Sequence, residues 1–87
     1  MFVYILRAQQ LPGEQLNEFF RRFKETPGLV HAYNLQEEEN PNEGAVVAIW
    51  ESREAAQRYI EGSPLKREVD EATPGVTRTF YKLLDSK

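Results

Sequence analysis

The tripeptide Thr-Pro-Gly occurs twice in this chain, at residues 26–28 and 73–75. Each time it stands between a helical pattern and a strand pattern. Proline disfavours helical backbone in the residue before it, and glycine accepts the positive φ that commonly ends a helix. The two copies therefore punctuate two similar halves. Residues 2–7 (Phe-Val-Tyr-Ile-Leu-Arg) are β-branched, aromatic and aliphatic, which predicts a strand. Leu11-Pro12-Gly13 interrupts it. Leu16, Phe19, Phe20 and Phe23 then recur at i, i+3, i+4 and i+7, one face of a helix, with Glu18 and Arg22 four apart on its solvent side. Residues 29–36 and 45–50 predict the second and third strands. Ser52 is placed to cap a second helix through Ile60, with Glu54 in its first turn. Gly62-Ser63-Pro64 interrupts that helix. Ser63 as cap and Pro64 as first helical residue restart a turn carrying Leu65, Val69 and Ala72. Residues 76–84 predict the fourth strand.

The order is thus βαβ–βαβ, joined by a hairpin through Asn40-Pro41-Asn42-Glu43-Gly44. Right-handed crossovers put both helical layers on one face of the sheet. The expected fold is an α+β, ferredoxin-like sandwich with a four-stranded antiparallel sheet, and 87 residues make it a single domain, 1–87. A sheet with one wet face should alternate apolar and polar residues. These strands do not. Phe2, Tyr4 and Leu6 oppose Val3 and Ile5, while Ala45, Val47 and Ile49 oppose Val46, Ala48 and Trp50. Helices can cover only one such face. The other is expected to pack on the sheet of a second copy, giving a homodimer, because soluble monomers seldom expose so large an apolar patch.

Composition narrows the function. Eleven Lys and Arg stand against fourteen Asp and Glu, a net charge of −3, which lacks the basic footprint of a nucleic-acid binder. There is no cysteine, so disulfides and thiolate catalysis are excluded and most zinc sites with them. His31 is the only histidine, which forbids a His–His metal motif. No apolar run reaches membrane-spanning length, and Met1-Phe2-Val3-Tyr4 has no basic leader before it. A cytoplasmic protein with neither nucleic acid nor membrane as partner is the expectation. The glycines are scattered, so no phosphate-cradling loop is present. Glu37-Glu38-Glu39 lacks the spaced ligands and glycine of a calcium loop and reads as a solvated hairpin tip.

The chain resembles the antibiotic-biosynthesis-monooxygenase-like family of dimeric α/β barrels. The resemblance rests on Pro12-Gly13-Glu14 opening the first helix, and on Phe23 with Pro27-Gly28 closing it. It rests also on Val46-Val47-Ala48-Ile49-Trp50-Glu51-Ser52, followed by Ala55-Ala56 and Ser63-Pro64. It implies a ferredoxin-like protomer, a dimer made by joining two sheets, and a small pocket between sheet and helices. It also implies cofactor-independent oxidation of a quinol- or polyphenol-like aromatic by molecular oxygen, with no metal or prosthetic group. Family members often hold histidines where this chain has Tyr59 and Lys66. Haem-degrading relatives carry an asparagine, a tryptophan and a histidine that fall near Leu6, Tyr59 and Val69. None of the three is kept, which leaves haem iron without an evident axial ligand.

Under that resemblance His31 is the expected catalytic base, since an imidazole suits proton transfer at neutral pH. It lies on a predicted strand with Leu29, Tyr33 and Leu35 on the same side, where a packed, hydrogen-bonded histidine is the alternative. Arg78, between Val76 and Phe80, is the expected charge stabiliser for a phenolate, or else the partner of a carboxylate. Trp50, Tyr59 and Tyr33 are the expected substrate-binding walls. For Trp50 the alternative is a core or interface anchor, and for the tyrosines an edge of the core with the hydroxyl in water. A non-catalytic homodimer that binds a small ligand, or serves only in assembly, is the alternative function.

Overall fold

A computed structural model describes residues 1–8, 13–40, 42–73 and 75–87, with the backbone alone at 13–16. Its elements run β1 (Phe2–Ala8), α1 (Gly13–Phe23), β2 (Leu29–Gln36), β3 (Gly44–Trp50), α2 (Arg53–Gly62), α3 (Pro64–Ala72) and β4 (Thr77–Lys82). The four strands form one antiparallel sheet in the order β2-β3-β1-β4, the ferredoxin-like arrangement. Of the sequence expectations, those on Leu11, Pro12, Pro41, Pro74 and the side chains of Glu14 and Leu16 lie outside the described residues. No helix among the described residues is long and apolar enough to cross a membrane.

Local chemistry sets the helix ends. The Ser52 hydroxyl accepts from the Ala55 amide at 3.2 Å, and the Ser63 hydroxyl accepts from the Leu65 amide at 3.2 Å. Each cap satisfies an amide that the first turn leaves free. Pro64 opens α3, where its missing amide costs nothing. α1 ends at Phe23, three residues before the Thr-Pro-Gly, and a turn through Lys24 and Glu25 completes the descent. Gly28 has φ +85°, and a Cβ built there would stand 2.5 Å from the Ala55 Cβ. Only glycine meets both demands. The last strand is shorter than its apolar pattern: residues 83–87 leave the sheet, and Leu84 is exposed.

Directly opposed residues in an antiparallel sheet share a face. One face carries Tyr4, Leu6, Ala8, Val46, Ala48 and Trp50, all buried, and the helices meet it with Phe23, Ala55, Ala56, Tyr59, Leu65 and Val69. At its centre is an aromatic cluster. Tyr4 stacks on Phe23 at 6.0 Å and meets Trp50 edge-on at 5.8 Å, while Phe23 meets Tyr59 edge-on at 5.2 Å. The other face carries Val3, Ile5, Ala45, Val47 and Ile49, flanked by His31, Tyr33, Leu35 and Tyr81. Among the described residues no element covers it, and Tyr33, Leu35 and Tyr81 are 51%, 48% and 45% exposed. A register irregularity between Leu29 and His31 corrects one expectation. It sets Leu29 opposite Trp50, so Leu29 packs toward the core and not beside His31.

Candidate functional site

The helix-covered face holds both the cavity and the buried charge. The cavity lies over β1 and β3 between α1 and α3. Tyr4, Leu6 and Val46 form its floor, Phe20 and Phe23 one wall, and Leu65 and Val69 another. Tyr59 of α2 completes it. Carbon atoms make up nearly the whole lining, and the volume is about 30 Å³. A second, wider cleft of about 460 Å³ opens at the α2–α3 junction against Thr26, Pro27, Arg58, Gly62 and Ser63. Tyr59 also lines this cleft and is the residue common to the two spaces.

Beside the cavity, Arg78 projects from β4 on the helix side, opposite Leu6. Its side chain is only 11% exposed. Nη1 donates to Asp70 Oδ1 of α3 at 2.6 Å, and Lys66, one helical turn earlier, reaches Asp70 Oδ2 at 2.7 Å. Burial works to raise the Asp70 pKa, but the hydrogen bonds from Lys66 and Arg78 outweigh it and hold the carboxyl below its usual value. Arg78 Nε and Nη2 are buried and make no well-aligned hydrogen bond, although the Tyr4 and Tyr59 hydroxyls stand within interaction range of the guanidinium. Two phenols stand close to the guanidinium. Burial pushes the Tyr4 hydroxyl far above its ordinary pKa, Tyr59 adds to the rise, and Arg78 offsets part of it. Tyr59 is raised in the same way, by burial first, with Arg78 again pulling back. Both phenols therefore stay protonated at neutral pH and keep a hydroxyl hydrogen to donate.

The expected site residues divide between the two faces. Tyr59 and Arg78 come together with the cavity. Trp50 is on the same face but wholly buried behind Tyr4 and Tyr59, a core anchor whose Nε1 finds no acceptor. His31 and Tyr33 lie on the bare face, their rings stacked at 6.5 Å. The row His31–Ile49–Val3–Tyr81 points away from the row Asn34–Val46–Leu6–Arg78, so the expected base and the expected charge stabiliser do not meet within one chain. Lys66 is tied to Asp70. Sequence reasoning did not single out Tyr4 from the other tyrosines, and it missed Asp70. Asp70 carried a signal, being four residues after Lys66 on a helix, but nothing in the sequence tied it to Arg78 eight residues later.

No family profile matches the chain, and no curated protein matches it by sequence. Solved structures do match. The cofactor-independent oxygenase SnoaB from Streptomyces nogalater is 18% identical at a TM-score of 0.76, over 98% of this chain and 94% of that one. A structure of an antibiotic biosynthesis monooxygenase is 12% identical at 0.77, over 98% and 100%. Rv0793 from Mycobacterium tuberculosis is 19% identical at 0.76, over 98% and 96%. The chain is an α+β protein of the ferredoxin-like class. More narrowly, it has the fold of the antibiotic biosynthesis monooxygenase structures, end to end.

Proposed function

We propose that this protein is a cofactor-independent monooxygenase that acts on a small electron-rich aromatic such as a quinol. One observation carries the reading. A buried guanidinium with two unpaired donor nitrogens stands beside two protonated phenols and an apolar cavity. Such donors are incompletely satisfied by the two phenol oxygens, and a phenolate is a stronger acceptor. The likeness in fold to SnoaB, a cofactor-independent oxygenase, supports the same reading. The cavity of about 30 Å³ does not admit an aromatic ring as it stands, whereas the cleft of about 460 Å³ does. The ring docks in the cleft against Tyr59, and rotation of that side chain joins cleft to cavity. The phenol passes its proton to water in the open cleft, and Arg78 stabilises the phenolate. The phenolate passes one electron to dioxygen, and the resulting radical pair recombines at a ring carbon. The peroxide takes a proton back from water, and loss of water from the resulting hydroperoxide leaves the quinone.

The functional unit of this reading is a homodimer joined through the bare face. That places His31 and Tyr33 at the sheet-to-sheet interface, away from the cavity. Native mass spectrometry reads it directly, with twice 10.1 kDa expected. Oxygen uptake over a panel of dihydroquinones tests the activity. Uptake above autoxidation should fall by about 10²–10³ in Arg78→Met, the usual loss when one charge-stabilising donor is removed. No uptake above autoxidation with any member of the panel would sink the enzyme reading. The alternative, a non-catalytic binder of small ligands, draws on the narrowness of the cavity and on Tyr59 and Lys66 standing where the similar family often has histidines.

A further inference from the structure

We infer that Lys66 and Asp70 set the net charge of the site, and that this charge selects a small aromatic anion over a neutral ring of the same shape. The inference rests on the proposed reading only in taking Arg78 as the group that meets the ligand oxygen. Arg78 alone does not make the site positive. Its Nη1 is 2.6 Å from Asp70 Oδ1, and the carboxyl, held below its usual pKa, is ionised at neutral pH. A guanidinium and a carboxylate so close form a neutral pair, and their opposed fields largely cancel for an approaching anion. Lys66 changes the sum. Its ammonium is 2.7 Å from the other carboxylate oxygen, Oδ2. One carboxylate then serves two cations, and a single positive charge is left over.

The placement of the three differs from that of a surface pair. Lys66 and Asp70 are the half-buried charged residues of α3, while Arg67, Glu68 and Glu71 of the same helix are exposed. Lysine four residues before an acid is the weaker order for stabilising a helix, so the pair does little for α3 by itself. The row runs inward from Lys66 through Asp70 to Arg78, whose side chain is 11% exposed against 27% and 31% for the outer two. Partly buried charges are screened much less than exposed ones, so Lys66 is felt at the inner end without touching a ligand. Among the described residues no rival charge offsets it. The ions that act on the Tyr4 and Tyr59 hydroxyls are Arg78 and Asp70. The Arg22–Glu68 pair between α1 and α3 is exposed and neutral in sum.

The test is the binding of para-nitrophenolate, followed by its visible absorbance in mildly alkaline buffer, beside para-nitroaniline, an uncharged molecule of the same shape. The nitro group withdraws electrons, so neither ring is oxidised by dioxygen and binding is read apart from turnover. The unmodified protein should hold the phenolate several-fold more tightly than the aniline. Lys66→Met should remove that preference, and Lys66→Arg, which keeps the charge, should retain it. Asp70→Asn keeps an oxygen for Nη1 and deletes the negative charge, so it should tighten the phenolate several-fold further. Nitroaniline should bind equally to all of these proteins, which mere loosening of α3 would not allow. Equal or undetectable binding of the two ligands to the unmodified protein would overturn the inference. So would a preference that survives Lys66→Met, or weaker phenolate binding in Asp70→Asn. Phenolate binding lost in Arg78→Met but indifferent to Lys66 and Asp70 would leave the proposed role of Arg78 standing without this one. The full graded order with no quinol-dependent oxygen uptake would uphold the charge assignment in a protein that is not an oxygenase.

Discussion

The two faces of the sheet are built from the same strands and are equally apolar in sequence, yet they differ in almost every physical respect. The helix-covered face is aromatic, crowded and dry. Tyr4 and Trp50 are 1% and 0% exposed, and a guanidinium is buried among them. The bare face is aliphatic at its centre, and its flanking tyrosines and leucine are half exposed. The difference lies in what covers each face. An intramolecular cover brings polar groups from α3 and β4 into the core along with its apolar ones, and those become the candidate site. A face left for another molecule must be tolerable in water until that molecule arrives, so it offers short aliphatic side chains and keeps its polar tips wet.

Matched truncations sharpen the contrast most strongly. Tyr4→Ala removes a ring that touches Phe23, Trp50, Tyr59 and Phe80. It should cost about 3–5 kcal/mol in urea unfolding. Tyr33→Ala on the bare face should cost an isolated protomer less than about 0.5 kcal/mol. Equal costs would mean that the faces are not energetically distinct. Next in size is Val47→Asp, which sets a charge at the centre of the bare face. The proposed dimer should weaken by about 3 kcal/mol, roughly a hundredfold in Kd. Sedimentation equilibrium reads the dissociation, and circular dichroism should show the fold intact. A variant that unfolds instead would mark this face as part of the protomer's own core.

Arg78→Met should have a smaller effect on stability than on oxygen uptake. Asp70 keeps Lys66 and remains partly solvated, so the loss in urea unfolding should be about 1–2 kcal/mol. The smallest effects are in pH. The Asp70 carboxyl is depressed in the folded chain, so its contribution is present above the unfolded value of about 3.9 and is lost as pH falls through the folded value. Asp70→Asn should flatten the acid limb of the stability profile. The raised phenols act in the opposite direction. The native chain holds those protons more tightly than the unfolded chain, so stability is complete below about pH 10 and declines above it. Tyr4→Phe and Tyr59→Phe should each remove part of that alkaline decline. A decline left unchanged in both would deny that the phenols are buried.

The fold was legible because its signals are local. Ser52 and Ser63-Pro64 announce two helix starts, the Phe19, Phe20 and Phe23 spacing announces one helical face, and two Thr-Pro-Gly copies set the boundaries. The expectation of apolar surface on both faces of the sheet was equally readable, since alternation has a period of two. Which face meets the helices was not, because Phe2-Val3-Tyr4-Ile5-Leu6 is apolar in both registers. The site was half legible. Tyr59 and Arg78 could be singled out as chemically notable, but their companions could not. Asp70 meets Arg78 through the packing of α3 against β4, and Tyr4 becomes a site residue only through the face it happens to occupy. His31 was named beside Arg78 as a candidate on residue type, and type carries no information about the face. Its position in the strand sends it to the other side.

Gly28 and Ala55 have a consequence for how this chamber could be tuned. The turn after α1 touches α2 through the two smallest side chains available, with no slack for one more carbon. That contact works as a gauge block: it fixes how closely α2, and Tyr59 on it, can approach the sheet. A larger residue at position 55, which also stands on the wall of the wider cleft, would press on the turn at Gly28 and push α2, and Tyr59 with it, away from the sheet. The spacing between α2 and the sheet is thus set partly by a contact between one methyl group and bare main chain.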